Sequence, residues 1–310
     1  MPNYAVYGGC LRSVVPIPEL RPMGGERDPS WVFEIASGEA PILDSAHVVG
    51  QDELLQDVHA TLLRAPTTVR LQFDDTGIFD VRDEGNRIVW YPKDGAQPDV
   101  ARADLVGRVL PLVQHDRGLL ALHASAVCID GQAIGFMAPK NYGKSSLAMS
   151  LVTGHGGKLL TDDTLIVSPS TGVAAPGVHS VRLWSETASR FDGLGAGRQV
   201  LSEKQIFEQL PDESLEFHEA PIAALYTLVP TPGDSPAAVR REALDGFAAT
   251  MAIVQYQKLG ALLAGQDAAR VFDKAASLAT RTPVYTLEVA RDFARLPDAA
   301  QSLVHWHSLG

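Results

Sequence analysis

The residues with the clearest chemical meaning lie between positions 123 and 163. Ala138-Pro139-Lys140-Asn141-Tyr142-Gly143-Lys144-Ser145, followed by Ser146, matches the pattern G-x-x-x-x-G-K-[ST] except at its first position. An apolar run ends at Met137 and a helix-like run begins near Lys144, so the octapeptide stands between a strand and a helix. Backbone N–H groups of such a loop face a phosphate, and the dipole of the following helix favours its charge. Lys144 would reach the β- and γ-phosphates of a nucleotide, and the Ser145 hydroxyl would ligate Mg2+. The chain has only seven lysines, so Lys144 is not one of a basic run. Three departures stand out. Ala138 must keep φ negative where a glycine usually sits. Pro139 removes one N–H donor from the cradle, and Tyr142 is bulky for a neighbour of phosphates. The other reading is a chance Gly-Lys-Ser helix start.

Asp162 and Asp163 follow Lys144 by 18 and 19 residues. One helix and a turn fill that interval, so a parallel strand beside the loop's own strand would bring both acids to its carboxyl end, where open α/β sheets bind ligands. One acid would hold Mg2+, and the other would accept a proton from an attacking hydroxyl. Adjacent strand residues point to opposite faces, so the two should differ in role. A turn or a helix cap is the alternative for such a pair. His123, in the sequence LHASAV, would orient a carboxylate or steady transferred charge; a core or surface histidine is the alternative.

The surrounding elements follow from pattern. Residues 123–168 read strand, strand, loop, helix, strand: Ala124–Ile129 and Gln132–Met137 flank the turn Asp130-Gly131, SSLAMSLVTG is helical, and KLLTDDTLIVSP is one strand. Upstream, residues 69–91 split into three β-like runs at Asp75–Gly77 and Glu84–Asn86. A helix then carries Leu105, Val106, Val109, Leu110, Leu112 and Val113, with a break expected at Pro111. Downstream come strands at Ala223–Val229 and Val284–Val289, helices at Asp245–Ala264 and Ala268–Ala279, and a surface loop at Pro230–Pro236. The expected division is a β-rich domain over residues 1–115, serving partner or acceptor recognition, and a catalytic domain over 116–310.

Composition limits the function classes. With 310 residues, 45% hydrophobic and 20% charged, the chain is an ordinary globular sequence of about two domains. Its net charge of −11 argues against general nucleic-acid or anionic-membrane binding. There is no apolar run of transmembrane length and no signal-peptide pattern at the start. Two cysteines, Cys10 and Cys128, cannot build a disulfide framework, and they fit a cytoplasmic location.

LHASAV, the hairpin, APKNYGKSS and LLTDD together resemble the catalytic domain of HPr kinase/phosphorylase, and more closely the HPr-kinase-related proteins found with lasso-peptide and other peptide-maturation genes. The 21 residues from His123 to Lys144 and the 18 from Lys144 to Asp162 are the family's spacings. PGVHSVRLW, APIAALYTLVP and TGIFDVRDEGNRI extend the resemblance along most of the chain. It implies a mixed α/β (α+β) P-loop fold like that catalytic domain, with ATP and Mg2+ as cofactors. It implies that His123 assists, Lys144 binds phosphates, Ser145 binds Mg2+ and Asp162 is the general base, with Asp163 at Mg2+ or supporting Asp162. Glu186 in SETASRFDGLGAG stands near the family's metal-binding Glu, although the motif does not align around it. The family's phosphorylase loop and regulatory domain have no match here, which argues against reverse phosphorylase activity and against HPr as substrate.

The expected activity is therefore transfer of the γ-phosphoryl group from ATP to a hydroxyl, a Ser of a peptide or protein, with a ribosomally made precursor peptide among the candidates. A nucleotide-dependent peptide-binding module and a kinase of a small alcohol or sugar are the alternatives. Arg190, Arg198 and Lys204 around GLGAG suit a mobile loop over the site, against the plainer reading of solvated surface charge. Trp184, Tyr226 and Trp306 read as core residues. His305-Trp306-His307 suggests a metal site, but with no further ligands at matching spacing an exposed tail is the expectation.

Overall fold

The computed structural model describes residues 1–25, 27–55, 57–199, 204–208 and 210–308. Nine strands form the first sheet: β1 (Asn3–Val6), β2 (Gly9–Ser13), β3 (Arg21–Met23), β4 (Trp31–Ile35), β5 (His47–Leu55), β6 (Val58–Arg64), β7 (Val69–Phe73), β8 (Gly77–Arg82) and β9 (Arg87–Pro92). Their order is β3-β1-β2-β4-β9-β8-β7-β6-β5, antiparallel except where β4 runs parallel to β2 and β9. The three runs expected at 69–91 are β7, β8 and β9. Leu71, Phe73, Phe79, Val81, Ile88 and Trp90 recur at every second residue and face one core.

The connecting helix runs from α1 (Pro98–Asp104) through a π-helical turn at Leu105–Val109 into α2 (Leu110–Asp116). The break expected at Pro111 does not occur. Pro111 has no N–H to donate, and the turn before it widens so that the Leu110 N–H reaches back to the Leu105 carbonyl, five residues away.

The remaining elements are β10 (Leu120–Leu122), β11 (Ala124–Ile129), β12 (Gln132–Met137), α3 (Lys144–His155), β13 (Lys158–Thr161), β14 (Leu165–Val167), β15 (Val173–Ala175), β16 (Val181–Trp184), α4 (Ser185–Ala188), β17 (Arg198–Gln199), β18 (Lys204–Phe207), β19 (Ala220–Thr231), β20 (Val239–Ala243), α5 (Gly246–Gln255), α6 (Gln266–Ala279), β21 (Val284–Ala290) and α7 (Leu296–His307). The architecture is thus mixed α/β, with sheets that combine parallel and antiparallel pairs. In the second sheet β12 lies between β11, antiparallel, and β19, parallel, and β21 runs parallel to β19. The β11–β12 hairpin closes at Asp130 (φ 49°) and Gly131 (φ 78°), the positive pair that a tight two-residue turn needs.

Both faces of this sheet are covered, which is why β11 and β12 read as continuous apolar runs. Val127, Ile129, Ile134 and Phe136 face a core shared with α3 and α7; Ala126, Cys128, Ala133 and Met137 face the core of the first sheet. That second core runs without interruption from Tyr4 to Val284. A small third sheet, β16-β18-β17, stands beside α3.

Three expectations need correction. The segment KLLTDDTLIVSP is two strands, because the Thr164 N–H closes a three-residue turn on the Asp162 carbonyl at 2.9 Å, with Asp163 at φ 69°. The strand carrying the acids is not next to the loop's strand: β13 pairs with β11, which separates it from β12. The helix expected to reach Ala264 ends at Gln255. Residues 256–258 leave it to lie along 121–123, with the His123 N–H donating to the Tyr256 carbonyl at 2.7 Å and the Lys258 N–H to the Ala121 carbonyl at 2.9 Å. Among the described residues no helix is long and apolar enough to cross a membrane.

Candidate active site

The loop from Ala138 to Ser146 joins the carboxyl end of β12 to the first turn of α3. Its backbone alternates: φ is positive at Asn141 (68°) and Gly143 (88°) but not at Lys140 or Tyr142. Alternation of this kind turns successive N–H groups into one concavity, which suits an anion at the start of a twelve-residue helix. Ala138 is buried and keeps φ out of the positive region. Pro139 gives no N–H, but its carbonyl accepts from Lys144. Tyr142 is 46% exposed and lines the cleft above the loop.

Lys144 is buried at the loop's floor. Its Nζ donates to the carbonyls of Ala138 (2.8 Å) and Pro139 (3.1 Å) and lies 3.0 Å from His123 Nε2. Burial lowers its pKa to about 8, against the opposing pull of Asp163 and Asp162. His123 stands between β10 and β11, with Nδ1 3.2 Å from the Asp163 carbonyl and 3.3 Å from its carboxylate. Nδ1 therefore faces acceptors and Nε2 faces an ammonium, a set that the Nδ1–H tautomer satisfies.

The acids differ as their places in the turn require. Asp162 is buried and accepts from two hydroxyls: Ser125 on β11, and Ser145, whose Oγ lies 2.9 and 3.1 Å from its two carboxylate oxygens. Burial raises its pKa, although the Ser125 hydrogen bond opposes the rise. Asp163 is half exposed and takes Lys258 Nζ at 2.5 Å. Desolvation pushes its pKa upward, but Lys258 and His123 outweigh it and hold the carboxyl well below the usual range.

The structure thus brings together His123, Lys144, Ser145, Asp162 and Asp163. Ser125 and Lys258 complete the cluster without having been singled out in the sequence. Lys258 carries no local motif; it arrives only because the chain leaves α5 to pair with 121–123. Glu186 is exposed on α4, where its neighbour Thr187 lines the cleft.

The loop floors a cleft of about 400 Å³. Lys204 stands at its rim, donating to Asn141 Oδ1 at 3.1 Å and lying 4.9 Å from the Trp184 ring centre. Burial, then Lys140 and Arg182, lowers the Lys204 pKa. Arg182 and Arg291 also line the cleft and had no sequence signal. Trp184, expected in the core, is 39% exposed and forms a wall, whereas Tyr226 is fully buried as expected. Arg198 is engaged with Glu208 at 2.6 Å, Arg190 is exposed, and Leu194 anchors the glycine-rich stretch in the core shared with α3 and α7. The His305-Trp306-His307 segment is not an exposed tail: it ends α7, with His307 Nε2 2.6 Å from the Tyr226 hydroxyl and Arg241 over the Trp306 ring. Among the described residues no three His, Cys, Asp or Glu side chains group to hold a metal ion. Ser145 and Asp162 supply hard oxygen donors of the kind that hold Mg2+ together with substrate phosphates.

No family model matches the chain, and no curated protein matches it. Among solved structures it is similar to the Hpr(Ser) kinase/phosphatase from Coxiella burnetii, at 16% identity and a TM-score of 0.31, over 60% of this chain and 95% of that one. A superposition this shallow carries no functional argument.

Proposed function

We propose that this protein is an ATP-dependent phosphotransferase that moves the γ-phosphoryl group to a hydroxyl, a Ser of a peptide or protein such as a precursor peptide. One observation carries the reading: Lys144, His123, Ser145 and both aspartates converge at the mouth of a strand–loop–helix cradle. In this reading the loop N–H groups and Lys144 bind the phosphates, and His123 steadies Lys144. Mg2+, held by Ser145 and a carboxylate, would neutralise charge on the transferring group. Asp162, its pKa raised by burial, takes the proton of the acceptor hydroxyl. The β-rich part up to residue 115 is assigned to acceptor recognition, and the protein to the cytoplasm.

The contact between Ser145 and both Asp162 oxygens favours a second allocation, with Asp162 on the metal and the half-exposed Asp163 facing the acceptor. Mass spectrometry of Ser-containing acceptor peptides incubated with ATP and Mg2+ tests the whole reading. Lys144→Ala should weaken ATP binding. Asp162→Asn should spare binding and lower the transfer rate by roughly 10²- to 10⁴-fold if it is the base; a raised Mg2+ requirement instead supports the second allocation. Transfer that survives both substitutions rejects the activity. Tight ATP binding with no turnover leaves a binding module, and transfer only to small alcohols or sugars changes the acceptor class.

A further inference from the structure

The cleft has two chemically different ends. Arg182 and Lys204 make one wall cationic, with Lys140 close by. The rest of the lining is mostly apolar, from Leu228 and Pro230 of β19, Val289 and Ala290 of β21, and Phe293 and Leu296 beyond it, with Arg291 and Asp292 as the charged residues among them. Phe293 is 39% exposed and belongs to neither apolar core among the described residues. The turn that carries it is nonetheless pinned. The Asp292 side chain accepts from the Ala294 N–H at 2.9 Å, and Arg295 donates to the carbonyls of Gly233, at 3.1 Å, and Ser235. An aromatic ring held in water on a fixed turn, beside a cradle for anions, calls for a flat apolar ligand group.

We propose that the apolar end of the cleft seats the base of a nucleoside triphosphate, with Phe293 as its stacking ring, so that the donor is a nucleotide and not an inorganic polyphosphate. The inference rests on the phosphotransferase reading and adds to it the residue that seats the base of the donor. A nucleotide divides as the cleft does, with charged phosphates at one end and a planar base at the other. With the phosphates at Lys144 and the start of α3, the base lies toward the carboxyl ends of β19 and β21, the edge where open α/β sheets bind ligands. Stacking on an aromatic face adds affinity without reading the edges of the base.

Calorimetric titration of the full chain with ATP and with inorganic tripolyphosphate, each with Mg2+, tests this. Phe293→Ala should weaken ATP binding about tenfold and leave tripolyphosphate binding unchanged, whereas Lys144→Ala should weaken both. Phe293→Leu, which keeps apolar bulk but removes the aromatic face, makes the same comparison if the truncation disturbs the fold. Unchanged ATP affinity, or equal losses for the two ligands, would overturn the base site. So would a wild-type protein that binds tripolyphosphate as tightly as ATP, although the phosphotransferase reading would then stand. Wild-type binding of neither ligand would overturn both.

Discussion

At the scale of single residues, the cluster is a chain of alternating partners: Lys258, Asp163, His123, Lys144. Each holds the next through contacts between 2.5 and 3.3 Å. Lys258 is 11% exposed at its side chain and also donates to the Asp163 carbonyl at 3.3 Å, so it fixes the strained turn as well as the charge on its acid. Removing the cation leaves Asp163 with His123 alone and loosens the side chain that sets the tautomer of His123. Lys258→Met is therefore expected to lower the transfer rate roughly 10- to 100-fold, the range seen when groups that orient ligands are lost, with ATP affinity little changed. Lys258→Arg, which keeps the charge, should recover part of that rate. Single-turnover kinetics with separately measured ATP binding would show it; a loss confined to binding would place Lys258 with the phosphates instead.

At the scale of elements, what the sequence disclosed was local. The Asp130-Gly131 hairpin, the start of α3 at Lys144 and its end near Gly156 each depend on residues within a few positions of each other. What it hid was set by distant packing: the separation of β13 from β12 by β11, the exit from α5 after Gln255, the exposure of Trp184, and the docking of α7. That last case carries a pH prediction. His307 ends α7 against Tyr226, and burial, aided by Arg241, lowers its pKa to about 4 from an ordinary 6.5. The unfolded chain then binds more protons between those values, so the stability His307 contributes is complete above pH 6.5 and is lost as pH falls toward 4. Buried His115 on α2, also lowered to about 4 chiefly by burial, acts with the same sign. Asp104, raised to about 6 by burial, acts against them over part of the range. Melting temperatures measured from pH 7 to 4 should fall for the wild type and fall less steeply for His307→Gln. An identical slope in the variant would mean that His307 titrates in the folded protein as it does in the unfolded chain.

At the scale of the whole molecule, the net charge of −11 and the site are reconciled by placement, since Lys140, Lys144, Arg182 and Lys204 gather around one cleft of an otherwise acidic protein. The same scale decides how the two large sheets unfold. The β-rich first sheet is complete by Pro92, yet its apolar core takes in α1 and α2, then Ala126 and Met137 of the second sheet, then Ile253 of α5 and Val271 of α6. The Tyr7 hydroxyl donates to the Val106 carbonyl at 2.9 Å, the Gln114 amide donates to the Tyr7 carbonyl, and Arg64 bridges Asp116 and Asp267. Neither sheet can therefore expose its inner face without opening the other's core, and partial unfolding would uncover apolar surface on both sides. Differential scanning calorimetry of the full chain should show one transition, with calorimetric and van't Hoff enthalpies equal. Residues 116–310 expressed alone should lack a cooperative melt, because Leu120, Leu122 and Met137 would lose the partners that bury them. Two resolved transitions, or a fragment that melts as sharply as the full chain, would mean that the shared core couples the sheets less than its continuity implies.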